Sequence, residues 1–335
     1  MGIHKAVFPS LLLTGLLALA CANPAWANLY KCKDANNRTH YQDSPCQQLK
    51  AERLPGNLSR LSGEEEARGF FWKATAGQGT LFLLGSLHFG SQSLYPLPAL
   101  VTDAFSASDV LVVEADIDGI HNADIAQTLR TKGRYEDKPG LEARVKPMTW
   151  QKTMELANTL GMTEEQLRPL KPWFASLALT AQALKQAGYT ADLGIDLNFL
   201  KQAEGKKPVM ELESVDGQAS LLEGLSGAEQ EEMLLQTVQE LTRGVEYFKT
   251  LIDVWKRGDA DAMDLITRQS FGSGQLGGEL YKILFEDRNL MMANRLKDMA
   301  ADGRTYFVVV GAAHMGGEKG ILALLEEKGF NITQP

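Results

Sequence analysis

Thr305-Tyr306-Phe307-Val308-Val309-Val310-Gly311 is an apolar run with no polar alternate, and His314 stands three residues beyond its glycine. Short runs of this kind, rich in β-branched residues, mark strands covered on both faces. Three other stretches share the pattern. Thr80-Leu81-Phe82-Leu83-Leu84-Gly85 is equally continuous, Val110-Leu111-Val112-Val113-Glu114 is shorter, and Pro208-Val209-Met210-Glu211-Leu212-Glu213 is weaker. Phe70-Phe71-Trp72-Lys73-Ala74 reads as a first strand, followed by a turn at Gly77-Gln78-Gly79.

Between these runs the apolar spacing becomes helical, over residues 149–160, 173–186, 191–203, 226–254, 280–299 and 318–328. Residues 273–278 read as a flexible loop from their glycines. Strands separated by helices predict an α/β fold with a largely parallel sheet and flanking helices. The helical stretch from about 141 to 300 is longer than one crossover needs, so part of it reads as a helical insertion. No internal repeat of fixed period is present.

Working toward the N-terminus, residues 70–335 form the main domain, residues 61–69 a linker and residues 28–60 a small module. Residues 1–27 read as a secretory signal peptide: Lys5, a short apolar run from Leu11 to Ala20, and a small-x-small cut site at Ala25-Trp26-Ala27. The run is shorter than the roughly 18 apolar residues that a membrane span needs, so no transmembrane span is expected in the mature chain. Cys21 after Ala18-Leu19-Ala20 gives a minor alternative, a lipid anchor, although the usual leucine of a lipoprotein box is missing. The expected location is periplasmic.

The formal charge is −8, and loss of the leader removes only Lys5. No basic cluster remains to track a phosphate backbone, which argues against nucleic acid as a partner. Cys32 and Cys46 remain in the mature chain. An even pair closing a short loop in an exported protein reads as a disulfide, with two free thiols as the alternative. Two cysteines without a Cys-x-x-Cys motif do not make a structural zinc site. Tyr30-Lys31-Cys32-Lys33-Asp34 and Arg38-Thr39-His40-Tyr41, around a turn at Asp34-Ala35-Asn36-Asn37, form a hairpin signature. The segment resembles a short domain of unknown function that follows signal peptides in secreted proteobacterial proteins.

Polar residues recur at the ends of the apolar runs. Gly85-Ser86-Leu87-His88 and Gly311-Ala312-Ala313-His314 repeat one shape, a strand ending at glycine with histidine three residues on. The second run ends in Glu114, with Asp116 nearby, and the third in Glu211 and Glu213, of which Glu213 is closer to the expected edge. In open parallel sheets ligands bind outside the carboxyl ends of the strands. Parallel neighbours would therefore bring His88, His314, Glu114 and Glu213 to one rim, with the glycines leaving room beside the imidazoles. Two imidazoles with carboxylates suit a divalent cation such as Mn, Co or Zn. A carboxylate outside its ligand shell would take a proton from water. Each residue also has a structural reading: a hydrogen-bonded histidine, or a glutamate at a helix start. His40 reads as surface decoration of the hairpin and His121 as a loop residue. Ser86 as a nucleophile would need a sharp elbow and a paired base. His-Glu-x-x-His, Walker, Gly-x-Ser-x-Gly and Gly-x-Gly-x-x-Gly patterns are all missing.

Leu84-Gly85-Ser86-Leu87-His88, Val112-Val113-Glu114-Ala115-Asp116, Gly194-Ile195-Asp196, Leu212-Glu213-Ser214-Val215-Asp216-Gly217-Gln218, Asp287-Arg288-Asn289 and Gly311-Ala312-Ala313-His314-Met315-Gly316-Gly317 occur in this order. Over roughly residues 70–334 the chain resembles the TraB/GumN family, which includes the Tiki proteases. The resemblance implies a Tiki- or erythromycin-esterase-like fold and a metal-dependent hydrolytic site. It implies His88, His314 and Glu114 as metal ligands, Glu213 and Glu114 as acidic partners, and Arg288 and Asn289 as substrate-binding residues, with Arg288 also at the catalytic centre. A salt bridge or a helix-end hydrogen bond is the other reading of the Arg-Asn pair.

The leading expectation is a periplasmic metal-dependent hydrolase, a peptidase or an amide or ester hydrolase acting on a peptide or small molecule. The alternative is a non-catalytic envelope protein binding haem, a metal or a small ligand. A third reading is a partner that sequesters peptides or pheromones. The sequence leaves oligomeric state open.

Overall fold

The structure, a computed structural model, describes residues 69–335 apart from 118–122, 138, 245 and 272–273, together with the backbone of three short strands nearer the N-terminus. Those three are β1 (Tyr30–Lys33), β2 (Thr39–Gln42) and β3 (Glu52–Arg53), antiparallel in the order β2-β1-β3. The leader, Cys21, Cys46, His121, most of the linker and the side chains of Cys32 and His40 lie outside the described residues.

Six strands build the main sheet: β4 (Phe71–Ala76), β5 (Gly79–Ser86), β6 (Val110–Val113), β7 (Val209–Glu211), β8 (Thr305–Gly311) and β9 (Asn331–Thr333). Their order is β7-β6-β8-β5-β4-β9. β7, β6, β8 and β5 run parallel, in registers that set Met210 beside Val112, Val112 beside Val308 and Val308 beside Leu83. β4 pairs antiparallel with β5, and β9 antiparallel with β4. The opening run is thus the interior strand β8, and Tyr306 through Val310 are fully buried. Phe71, Phe105 and Phe199 surround the Phe307 ring, with centroids at 6.2, 5.3 and 4.8 Å. Removing a ring packed this way costs about 3–5 kcal/mol.

The helices are α1 (Ala99–Ala107), α2 (Ala123–Lys132), α3 (Pro147–Thr159), α4 (Glu164–Leu167), α5 (Pro172–Gln186), α6 (Ile195–Ala203), α7 (Val215–Gly224), α8 (Gly227–Thr242), α9 (Glu246–Arg257), α10 (Ala260–Ser270), α11 (Gln275–Tyr281), α12 (Asp287–Ala300) and α13 (Ile321–Glu327). Pro147 and Pro172 open their helices, where a missing N–H costs nothing. Ser226 and Glu229 form a capping box at the start of α8. The helix expected over residues 226–254 is two helices, because Gly244 adopts φ +93° after α8 and the chain turns before α9. The loop expected at residues 273–278 is helical from Gln275 onward, and a π-helical turn at Lys282–Glu286 joins α11 to α12. Leu141, Leu156, Leu167, Leu179, Leu234 and Val238 form a second apolar cluster, apart from the sheet core, around α3, α4, α5 and α8. No helix among the described residues is long and apolar enough to cross a membrane.

Candidate active site at the carboxyl rim of the sheet

The four parallel strands end on the same rim. Glu114 directly follows β6, Glu213 lies two residues beyond β7, His88 two beyond β5, and His314 closes a single 3-10 turn after β8. Backbone bonds carry the pairing past the strand ends: Glu114 N–H donates to Val309 and Glu213 N–H to Glu114, at 3.0 and 2.8 Å. Three helices present their first turns to this rim, bringing Asp196 from α6, Gln218 from α7, and Arg288 with Asn289 from α12.

His88 Nδ1 lies 2.8 Å from Asp196 Oδ2, and Ser86 Oγ donates to the other Asp196 oxygen at 2.6 Å. The Ile195 N–H donates to the Leu87 carbonyl, which ties the start of α6 to the histidine loop. Because a carboxylate accepts, the proton of the neutral His88 ring sits on Nδ1 and Nε2 keeps its lone pair. Burial opposes charge on this ring, but Asp196, with Glu114 behind it, outweighs burial and raises the pKa above its ordinary value.

His314 is held by a different partner. Asn289 Nδ2 donates to the Lys319 carbonyl at 2.9 Å, which leaves Oδ1 to face His314 Nδ1 at 2.6 Å. Nδ1 therefore carries the hydrogen. Nε2, fully buried, has no hydrogen-bond partner among the described residues. Burial, with help from the Arg288 and His88 charges, lowers the His314 pKa to about 3, so the ring is neutral.

The two imidazoles meet over Gly311. The point that a Cβ at this position would occupy is 3.2 Å from Glu114 Oε2, 3.3 Å from His88 Nε2 and 3.4 Å from His314 Cδ2. Gly311 has φ −47°, so its contribution is space rather than an unusual backbone. Gly85, the matching glycine, makes room for the Phe70 ring instead of an imidazole: a Cβ there would come within 2.2 Å of Phe70 Cδ1.

A buried ion network lies behind the imidazoles. Arg288 donates from Nε to both oxygens of Glu213, at 2.9 and 3.1 Å, and from Nη2 to Glu114 at 2.6 Å and Glu213 at 2.5 Å. Its Nη1 donates to the Leu284 carbonyl. Gln218 Nε2 spans the two carboxylates, at 3.0 Å to Glu114 and 2.9 Å to Glu213, and the Gly311 N–H donates to Glu114 Oε2 at 3.0 Å. Burial would raise the Glu114 pKa, but His314, Arg288, His88 and the Gly311 amide hold it down to about 2. Glu211 sits apart from this network, half-buried at the end of β7.

The expected residues are thus together, with different duties. Arg288 and Asn289, expected to bind substrate, are engaged with protein atoms: Arg288 clamps the two glutamates and Asn289 orients His314. Asp196 and Gln218 stood in the quoted motifs without a role, and nothing in their spacing announced which strand end they would reach. Among the described residues no three His, Cys, Asp or Glu side chains form a ready cation site, and both Glu114 oxygens are engaged by Arg288, Gln218 and Gly311. The two imidazoles fit a cation better. Each Nδ1 has an outer partner, the arrangement typical of metal-ligating histidines. Among the described residues the buried His314 Nε2 has no hydrogen-bond partner, with Glu114 Oε1 at 3.9 Å. Around them lie three carboxylates and one guanidinium: Glu114 and Glu213 pair with Arg288, and Asp196 with His88.

This rim is built from the motifs that pointed to a family, and comparison with known proteins agrees. The TraB/PrgY/gumN family description matches residues 70–334. The chain belongs to the TraB/PrgY/gumN family. A second description, a domain of unknown function (DUF4124), matches residues 16–57, beginning inside the stretch read as a leader. Uncharacterized protein YbaP of Escherichia coli (strain K12) is 27% identical over 252 residues, covering 72% of this chain and 86% of its own. YbaP of Shigella flexneri matches equally, and an uncharacterized protein of Treponema pallidum (strain Nichols) is 22% identical over 298 residues, or 85% of this chain and 86% of its own. No solved structure matches. The chain's own two Gly-x-x-His stretches are the two strand ends that converge over Gly311.

Proposed function

We propose that this TraB/PrgY/gumN protein is an exported, periplasmic hydrolase that cleaves an amide or ester bond, most simply a peptidase, on a fold of the Tiki and erythromycin-esterase type. One observation carries the reading: His88 and His314, each oriented through Nδ1, come within 3.4 Å of one point at the polar end of a cavity. The leader-like residues 1–27 and the Cys32, Cys46 pair support export.

In this proposal His88 and His314 hold a divalent cation, Mn, Co or Zn, through Nε2. The chemistry such a cation supplies is polarisation of a carbonyl and acidification of water. The chain does the rest. Asp196 and Asn289 fix the ring tautomers, and Arg288 with Gln218 holds Glu114 and Glu213 in place. Three carboxylates against one guanidinium favour an added positive charge between the imidazoles.

A second reading follows from the Asp196 contact. His88, its Nδ1 hydrogen held by a carboxylate, accepts a proton from water at Nε2 without any cation, as in acyl-transfer triads. A third, a non-catalytic protein that binds haem, a metal or a small ligand, predicts retention without turnover.

The experiment is metal analysis of purified protein, then cleavage of a peptide and ester library with and without chelator. Bound metal with chelator-sensitive cleavage supports the first reading. Chelator-resistant cleavage abolished by His88→Ala supports the second. Bound ligand with no cleavage of any substrate supports the third and rejects a hydrolase.

A further inference from the structure

The cavity that ends at the histidines is chemically one-sided. It measures about 110 Å³. Its walls away from the rim include Phe89, Leu184, Phe248, Leu251, Ile252 and Met263. Beside the two imidazoles and Tyr189, its polar lining is already engaged: Ser86 Oγ donates to Asp196, and Thr180 Oγ1 donates to the Ser176 carbonyl at 2.9 Å. Among the described residues no Asp, Glu, Lys or Arg lines it. A charged group placed against the apolar walls would lose its water without gaining a partner.

One wall comes from α9. Phe248, Leu251 and Ile252 lie three and four residues apart, so they share one helical face, and they are only half-buried. The next turn of the same side of α9 is fixed: Val254 and Trp255 are buried, and Trp255 Nε1 donates to the Gly85 carbonyl at 2.6 Å. That bond ties the wall to the end of β5, two residues before Leu87 and three before His88. The half-exposed apolar face has a rigid mount beside the polar rim, as expected of a preformed pocket.

We propose that this cavity receives a single branched or aromatic side chain of the substrate, adjacent to the carbonyl group presented to His88 and His314. The assignment rests on the hydrolase reading and adds the substrate class: peptides or acyl amides with a Leu- or Phe-like residue at the cleaved position. The size sets the limit. A dry cavity of about 150 Å³ accommodates one benzene ring, so a space of about 110 Å³ matches a single Leu-sized side chain, with a Phe ring as its upper limit.

The test uses the full chain and uncleaved probes, so that binding is read apart from catalysis. N-acetyl amides of Gly, Leu, Phe, Asp and Lys are titrated by ligand-observed NMR, and the corresponding anilides are assayed for hydrolysis. Leu and Phe amides are expected to bind about 10- to 100-fold more tightly than Gly, Asp and Lys amides, since the side chain moves from water to an apolar site. Ile252→Trp, which fills the cavity, is expected to remove that preference, and Leu251→Trp repeats the test from the neighbouring position if the first variant fails to fold. Equal binding of all five amides, no binding of any, or a preference that survives both fillings would overturn the pocket. Preferential binding with no hydrolysis of any anilide would instead sink the hydrolase reading and leave the pocket standing.

Discussion

Asp196 Oδ2 lies 2.8 Å from His88 Nδ1, and this contact joins the first turn of one helix to the loop after a strand distant in sequence. Asp196→Asn keeps the size but replaces an obligatory acceptor with an amide that can present its NH₂. Loss of an outer partner of this kind costs about 10- to 100-fold in activity or metal affinity. The expected result is that loss in turnover, or in metal retained after dialysis, with an unchanged circular dichroism spectrum.

Among the described residues Arg288 is the one guanidinium bonded to both Glu114 and Glu213. Arg288→Ala would strand two buried carboxylates, and breaking a buried pair from one side costs about 3–5 kcal/mol. Urea unfolding is expected to show a loss of that size. Arg288→Lys should recover only part of it, because an ammonium cannot reproduce the planar fork. A variant as stable as the parent would mean that the network carries no structural weight.

Gly311→Ala tests the meeting point itself. The backbone there is compatible with alanine, but the methyl would press on Glu114, His88 and His314 at 3.2–3.4 Å. The expected outcome is a folded protein, destabilised by about 1–3 kcal/mol as in other overpacked sites. Activity should fall about 100-fold, the cost of a small misplacement of reacting groups. Thermal denaturation and turnover measured on one preparation separate the two effects.

Glu240, buried in α8, has an Oε2 without a hydrogen-bond partner among the described residues. Burial pushes its carboxyl up to about 8, against a smaller opposing pull from Arg243. In the unfolded chain the same group ionises near pH 4.3. Between those values the native state binds the extra proton, so its contribution to stability is complete below about pH 4.3 and is lost as pH rises toward about 8. Glu240→Gln removes that dependence. The variant should gain on the order of a few kcal/mol over the parent at pH 8 and little at pH 4.5. Melting temperatures at the two pH values check it, and equal gains at both would refute the assignment.

Much of the sheet was legible because burial on both faces leaves an unmistakable composition, as in Val308, Val309 and Val310 of β8. β9 was not, since Asn331, Ile332 and Thr333 form an edge strand with little buried side chain and so carry no apolar run. The rim was legible as four strand ends, because parallel strands must deliver their following residues to one side. The partners were not. Asp196, Gln218 and Asn289 reach the rim from helix starts, and the direction in which a helix start points depends on packing of the helix body. Arg288 left two readings open, a substrate contact or a salt bridge, and its place between Glu114 and Glu213 is a salt bridge. The single helix read over residues 226–254 failed at one glycine, because amphipathic spacing continues across a break that only the backbone angle reveals.

The interior position of β8 has a consequence for how the molecule comes into being. Its two neighbours, β5 and β6, are made early, yet they touch each other only through a strand near the end of the chain. A nascent polypeptide can therefore form its helical cluster long before it has a sheet, and pairings between such distant segments make folding slow. Until that late strand is in place, the β4–β5 and β6–β7 pairs each keep one edge that only β8 can fill.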